Sequence, residues 1–538
     1  HNGESEGPTS ALQTWVNITL AITVISLVCL VALTIRAVGF RLSRTTSDFY
    51  VASRVVTPTW NASAIGGEYI SAASFLGVAG LVYSLGADML WLPIGYTVGY
   101  LVLLLLVAAP LRRSGAYTLP DFAEARLESV AIRRLASVLV LGIGWLYLLP
   151  QFKGAGLAFH RVSGAPGWVG SLVVAVVVVI NVVAGGMRSI TLVQAVQYWI
   201  KVTAISVPAF ILVAWWLRHG QPIPHVAPVP PGHEWSHPLG GFGGVEHPVY
   251  ATYSTLLALC FGTMGLPHVL VRFYTNPDGG AARRTTLMVL ALLGLFYVFP
   301  PLYAILGRTY LPQLPAGTSP DSVTLLLPLV VSPGLLGQLM SALLAGGAFA
   351  AFLSTASGLT ISVAGVVDQD LIRSRLRRST GGDARAVNGF RIAAVAGVIV
   401  PFGLSLAAGG IGLAESVGLA FAIAASTFCP LLILGIWWRR LSTAGAAAGL
   451  VEGGTAGAPP SDALRARAGP AAGAGHPFAR PLDARYLACV WAAGIAIALM
   501  SVIIPAGVVM RYVFGFGAQW PEPIAILLMI VFTFIGAA

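Results

Sequence analysis

Residues 63–77 read SAIGGEYISAASFLG. The stretch lies inside an apolar run of membrane-spanning length, yet it holds a glutamate, a tyrosine, three serines and three glycines. An unbroken helix in lipid satisfies its own backbone groups. Polar, flexible residues in its middle are tolerated where freed N–H and C=O groups face protein, water or a ligand. Gly66 and Gly67 have two readings: close helix packing, or opening of the helix. With Glu68, Ser71 and Ser74 beside them, opening is the better reading.

A second interruption is CFGTMGLPHVLVRFYT, residues 260–275, with Gly262, Gly265, Pro267 and His268. The two interrupted runs begin two groups of five, 58–216 and 249–437. Paired broken helices at corresponding positions of two halves point to an inverted-repeat transporter with its site near the bilayer midplane.

The rest of the chain agrees with a membrane setting. Its 538 residues are 57% hydrophobic and 9% charged, with a mean hydropathy of +0.82, whereas soluble domains carry roughly 25% charged residues. The expected fold is all-α and polytopic, with about 13 transmembrane helices of the ~20 residues a crossing needs. The expected spans are 12–35, 58–85, 90–111, 133–158, 167–185, 190–216, 249–273, 285–307, 334–369, 390–408, 411–437, 486–504 and 521–538.

The net charge of +11 does not indicate nucleic acid. Lys153 and Lys201 are the only lysines, so 31 − 2 leaves 29 arginines. These cluster in alternate loops, at 36–54, 112–134, 188, 272–284, 373–391 and 439–485. That alternation follows the positive-inside rule. It places the N-terminus outside and, with an odd number of spans, the C-terminus in the cytoplasm, as in a multi-pass protein of a plasma membrane, with the bacterial inner membrane as the expected setting. Cys29, Cys260, Cys429 and Cys489 lie in apolar runs without disulfide or metal spacing and read as small core residues. The chain starts HNGESEGPTS, and its first apolar run reads as a span, not a signal peptide.

The expected organisation is an external segment, span and basic loop (1–46), a first five-helix repeat (47–216), an external loop (217–248), a second repeat (249–440), a cytoplasmic linker (441–485) and two C-terminal spans (486–538). The Pro-, Gly- and His-rich loop matches no metal-ligand spacing and reads as solvated and irregular. Residues 443–483 read as a linker with little structure, or, at AGAAAGLVEGG (444–454), as a short membrane-dipping helix.

Four further motifs, SDFYVASR (47–54), GAYTLPDF (115–122), GGMRSIT (185–191) and GLPHVLVRFYT (265–275), resemble signatures of the sodium:solute symporters, in that family's order and spacing. The resemblance runs from residue 47 to about residue 440, and GEYISAASFLG most resembles the cation/acetate, or monocarboxylate, symporters. It departs at Gln194, where many members carry an acidic residue, and at 443–483, where members usually place a span. Neither departure is expected to touch the site.

The resemblance implies a five-plus-five inverted-repeat (LeuT-like) core with a sodium site between the first and eighth core spans. Matched by motif, its ligands are the carbonyls of Gly67 and Ile70, the carbonyl of Ala351 and the hydroxyls of Ser354 and Thr355. The chemistry is apt, since a hard monovalent cation takes several oxygens and AFLST offers three in one turn. The plain alternative is Ser and Thr bonding back to a carbonyl one turn earlier.

The expected substrate site comprises Gly66, Tyr69, Ser71, Ser74, Gly262 and Thr263. Freed N–H groups near residues 66–71 would receive a carboxylate, and small neighbours (Ala72, Ala73) suit acetate, propionate or pyruvate. Intramembrane ionisable residues are functional candidates. Glu68, Lys153 and His268 are the possible charge partners, with Lys153 set either to pair with Glu68 or to snorkel, and His268 to make a structural hydrogen bond or relay protons. Lys201 reads as a snorkelling lysine, Glu415 as solvated, and Arg272 as a gate or lipid-phosphate residue.

The expected function is sodium-coupled import of a short monocarboxylate by alternating access. The expected partners are the solute, the sodium ion and the bilayer, with no organic cofactor and the oligomeric state open. Alternatives are sodium- or proton-coupled uptake of an amino acid or another small solute, and a membrane sensor built on a transporter fold. No enzyme is expected, because no His/Glu metal motif or nucleophile–base pair has the required spacing.

Overall fold

Apolar runs in a bilayer fold as helices because no water is present to satisfy an extended backbone. The computed structural model describes residues 8–40, 56–116, 118–224, 235–236, 248–315, 317–372, 383–407 and 412–455. Regular structure in them is helical throughout. Eight helices are long and apolar enough to cross a membrane, nine if the bent pair around residue 266 counts as one. The 47–54 motif, most of the 217–248 loop, the linker beyond residue 455 and the expected spans 486–504 and 521–538 lie outside the described residues.

The first helices are α1 (Pro8–Phe40), α2 (Pro58–Tyr69), α3 (Val78–Leu85), α4 (Trp91–Val102), α5 (Ala108–Arg113), α6 (Leu119–Leu127) and α7 (Val130–Ser163). A capping box starts α6, with Asp121 N–H donating to Thr118 Oγ1 and Thr118 N–H to Asp121 Oδ2. Helix α8 (Gly167–Arg218) covers two expected spans, 167–185 and 190–216, with helical backbone running through the expected loop. At 1.5 Å per residue it would measure about 78 Å if straight, more than twice a hydrocarbon core.

The second half comprises α9 (Pro248–Gly265), α10 (Pro267–Phe273), α11 (Gly279–Tyr297), α12 (Phe299–Tyr310), α13 (Val323–Val331), α14 (Leu335–Val366), α15 (Asp383–Ala407) and α16 (Leu413–Trp437). Helix α14 is the centre of the molecule, buried nearly all round, whereas Ile18–Ile35 of α1 faces mostly outward. Its run of Ala, Gly and Ser lets neighbours approach closely. A Cβ on Gly347 would meet Ala204 Cβ at 2.5 Å, and one on Gly358 would strike the Glu68 carboxyl.

Two expectations for the loops change. Residues 443–455, read as linker or, over 444–454, as a short membrane-dipping helix, form a helix, α17 (Thr443–Thr455). Its alanines favour helix, and Ala446 and Leu450, four residues apart, are buried on one face. Trp235, in the external loop read as solvated, is buried, and its indole N–H donates to the carbonyls of Val82 and Tyr83 at 3.1 Å each. A residue with one N–H and a large apolar ring gains by burial once that donor is satisfied.

Candidate functional site

The first break falls later than the glycine pair. Helix α2 continues through Gly66 and Gly67 to Tyr69, and Ile70 is extended, with ψ 91°. Helix resumes through a wide turn at Ala73–Gly77. The two glycines serve close packing, the reading the sequence argument set aside. A Cβ on Gly67 would lie 2.1 Å from the Gln194 carbonyl oxygen, and one on Gly66 would lie 2.9 Å from the Tyr198 ring. The N–H of Ala72, freed by the break, donates to Gln151 Oε1 at 3.0 Å. Gln151 in turn donates to the Tyr147 carbonyl at 3.2 Å. That glutamine was not among the expected site residues.

The second break is where Pro267 predicts it. Proline has no N–H to continue the ladder, Leu266 is extended, and α9 and α10 meet at 46°. Gly262, expected to touch substrate, packs instead on α16, where a Cβ would meet the Phe421 carbonyl oxygen at 2.5 Å.

The five residues expected to bind a cation converge. Ser354 Oγ lies 2.7 Å from the Gly67 carbonyl oxygen and 3.0 Å from that of Ala351. Thr355 Oγ1 donates to the Glu68 carbonyl and lies 3.5 Å from that of Ile70. Lys201 reaches into this cluster and bonds to three of its oxygens. Its Nζ donates to the Gly67 carbonyl, to the Ile70 carbonyl at 2.8 Å and to Ser354 Oγ at 2.5 Å. Lys201 is fully buried, so the snorkelling reading fails. Gln194, Tyr198 and Lys201 fall at i, i+4 and i+7 on α8, one helical face, and that stripe is the sequence signal that would have placed the lysine.

The donor set therefore suits sodium in kind but not in space. A sodium ion among the same oxygens would sit ~3 Å from an ammonium. At an effective dielectric of ~20 that repulsion is roughly 5 kcal/mol.

Glu68, for which Lys153 was a candidate partner, pairs with Arg272. Arg272 Nε donates to Glu68 Oε2 at 2.6 Å, and both side chains are buried. The rest of the guanidinium donates to Thr191 Oγ1 at 2.8 Å and to Gln194 Oε1. Gln194 passes the connection on, donating to the Ser354 carbonyl at 2.7 Å. A hydrogen-bonded chain thus joins the second break, through Arg272 and Gln194, to the first. Gln194 touches the site, contrary to expectation, and Arg272 is too enclosed to meet lipid phosphate. The ion pair of Glu68 is with Arg272, not with the expected Lys153, and the Asp321 carboxylate accepts from the Leu413 N–H at 3.4 Å. Glu415, read as solvated, accepts from the Gly412 N–H at 3.2 Å and caps α16.

Aromatic side chains surround the first break. Tyr69 packs edge-on against Tyr96, Tyr100 and Phe421, with centroids 6.1, 4.9 and 6.1 Å away. Tyr96 stacks on Tyr297 at 5.8 Å, and Tyr147 meets His268 at 5.1 Å. Tyr69 OH lies 2.7 Å from Thr263 Oγ1, and Ser74 Oγ 2.9 Å from Tyr297 OH. Ser71 Oγ, Tyr96 OH, Tyr100 OH, Glu68 Oε1 and both His268 ring nitrogens are buried without a hydrogen-bond partner among the described residues. The expected structural hydrogen bond of His268 is thus not formed. Unpartnered buried polar atoms are uncommon, and this concentration marks the place where a polar ligand would find partners.

Away from the breaks, Arg133 gathers Asp121, Glu124 and Asp370 at 2.8, 2.5 and 2.5 Å, joining α6, α7 and the end of the α14 segment. Burial pushes the Asp121 carboxyl up, against the pull of the adjacent Arg133.

Two half-helical breaks face each other across a buried polar centre, the architecture of a secondary transporter with a five-plus-five LeuT-like core. The structure matches that of a Na+-coupled sialic acid symporter in its substrate-bound, outward-open state with a TM-score of 0.61, at 13% identity over 97% of this chain and 96% of that one. Residues 49–453 match the sodium:solute symporter family, and the chain belongs to that family. It is 32% identical over 420 residues to the uncharacterized symporter YwcA of Bacillus subtilis, covering 76% of this chain and 80% of the relative. It is 31% identical over 439 residues to a monocarboxylic acid transporter of Corynebacterium glutamicum, covering 77% and 79%.

Proposed function

We propose that the protein imports a short monocarboxylate across a plasma membrane by alternating access, with its N-terminus outside. The observation that carries this reading is the charge at the breaks. Counted formally, Lys201 and Arg272 contribute +2 and Glu68 −1, leaving +1 in a buried setting. Buried charge is costly unless compensated, and one carboxylate anion brings the centre to neutrality. The unpartnered hydroxyls of Ser71, Tyr96 and Tyr100 supply donors for its oxygens. The packed tyrosines favour a body of two or three carbons over a sugar. The monocarboxylic acid transporter among the relatives supports the same substrate class.

In this reading Ser71 and the tyrosines orient the anion, and Gln151 holds the resumed helix in place by capping Ala72. Arg272 and Gln194 relay any shift at the second break to the Ser354 turn. Family membership implies sodium as the usual coupling ion. The test is uptake of radiolabelled acetate, propionate, pyruvate and proline into proteoliposomes. Accumulation of the monocarboxylates is expected, and accumulation of proline without them would overturn the reading.

A further inference from the structure

Three of the five oxygens that family resemblance assigns to sodium bond to an amine of this chain's own, and the other two lie on the same turn of α14. The Gly67 and Ile70 carbonyls only accept. Ser354 Oγ, with the Gly67 and Ala351 carbonyls at 2.7 and 3.0 Å to take its proton, is left as an acceptor toward Lys201. Three contacts on one nitrogen match the three N–H groups of an ammonium. Every donor on the ammonium is used. Among the described residues no charged oxygen ligates it.

We propose that the Lys201 ammonium takes the place of sodium at this site, a cation tethered to α8, so that this protein neither binds sodium there nor draws on a sodium gradient through it. Three features of the geometry support this. Position comes first: the nitrogen bonds to both carbonyls at the end of α2 and to one of the two α14 hydroxyls that were matched to the ion. The mechanical role is the second. The family site holds the first and eighth core spans together, and Lys201 joins the end of α2 to α14 directly, while also anchoring both to α8. Access is the third feature. Lys201 is fully buried, and its neighbours Gly67 and Ser354 are themselves held by Gln194. Gln194 stands within 2.1 Å of a Cβ placed on Gly67, and its amide donates to the Ser354 carbonyl. The lysine is therefore enclosed by the same elements that form the site and cannot swing out without moving them.

The substitution also has a consequence for the solute. A bound sodium arrives and leaves with each cycle, whereas a tethered ammonium stays. The positive charge available to an anionic substrate is permanent, and affinity for the anion does not depend on external sodium.

The test measures binding of radioactive 22Na+ to the purified full chain in lipid nanodiscs, which needs no substrate. Wild type is expected to show no saturable binding, and its uptake in proteoliposomes is expected to be the same when choline replaces sodium at fixed pH. Lys201→Ala removes the ammonium and leaves all five oxygens, so saturable 22Na+ binding is expected to appear. Saturable binding by wild type that disappears in Ser354→Ala/Thr355→Ala overturns the proposal, as does a monodisperse Lys201→Ala protein that binds no more sodium than wild type. Should Lys201→Ala not fold, the wild-type binding and choline measurements still decide. Failure to transport any monocarboxylate would sink the substrate reading and leave the sodium-binding result standing.

Discussion

Glu68 Oε2 accepts from Arg272 Nε at 2.6 Å, with both side chains almost wholly excluded from their surroundings. Glu68 lies two residues before the first break and Arg272 six residues after the second, so one ion pair ties together the two places where the helices open. The pair is also the only carboxylate–guanidinium contact between the breaks among the described residues.

Breaking such a pair from one side leaves a buried charge alone, which typically costs about 3–5 kcal/mol. Arg272→Ala should therefore lower the thermal midpoint in detergent strongly. Arg272→Met combined with Glu68→Gln should recover part of that loss, because no isolated charge remains. Recovery will be incomplete, since Thr191 and Gln194 also lose a donor. A double variant no more stable than Arg272→Ala would contradict this account of the pair.

Gly67→Ala and Gly66→Ala separate packing against backbone from packing against a ring. At position 67 the new methyl meets the Gln194 carbonyl oxygen at 2.1 Å, and main chain cannot step aside. Helices α2 and α8 would have to part, and a loss above about 4 kcal/mol is expected, in the range reserved for severe defects. At position 66 the obstacle is the Tyr198 ring edge at 2.9 Å, which can tilt, so a cost of about 1–3 kcal/mol is expected. Thermal melts of the two variants give the ordering, and equal losses would mean that the backbone contact is not decisive.

The same two glycines show what the sequence could and could not convey. Hydropathy located the described spans because lipid demands continuous apolar helix. Pro267 located the second break because a missing N–H is written in the residue type. The first break was expected at Gly66 and Gly67 but occurs at Ile70, because glycine signals equally an opening helix and a near neighbour. The family motifs brought Gly67, Ile70, Ala351, Ser354 and Thr355 together correctly as a cluster. Lys201 was misread because a lysine in an apolar run carries no local mark of what its tip will meet. Its partners lie 131 or more residues away in the chain. Gln151, Tyr96, Tyr100 and Tyr297 escaped notice for a related reason: each is an ordinary core residue until the break opens beside it.

Gln151 gives a third prediction. Its side-chain oxygen satisfies the Ala72 N–H, and removing an acceptor from a buried donor costs about 1–3 kcal/mol. Gln151→Leu is expected to lose that much stability. Gln151→Glu keeps the acceptor and should fall less far, yet it adds a negative charge beside the proposed anion site and should raise the apparent KM for acetate. Melting curves and uptake kinetics on both variants check the two effects separately. An unchanged KM in a folded Gln151→Glu protein would place the anion away from the first break.

Ser71 and Ser74 lie three residues apart beside the same break, and they differ in one respect that uptake kinetics can read. Ser74 Oγ is bonded to Tyr297 OH at 2.9 Å. Ser71 Oγ is buried and makes no well-formed bond, with the Tyr147 hydroxyl as its polar neighbour. An unsatisfied buried hydroxyl contributes no stability, so Ser71→Ala should melt at or slightly above the wild-type temperature. Ser74→Ala strands the Tyr297 hydroxyl and should lose about 1–3 kcal/mol. Transport should respond in the opposite sense. If Ser71 donates to the substrate carboxylate, deleting a hydrogen bond to a charged group worth about 1.5–3 kcal/mol weakens binding by roughly 10- to 150-fold, seen as a raised apparent KM for acetate. Ser74→Ala, whose hydroxyl already has a protein partner, should shift KM far less. A Ser71→Ala protein with unaltered KM would remove Ser71 from the substrate site and leave its unpaired hydroxyl without a role.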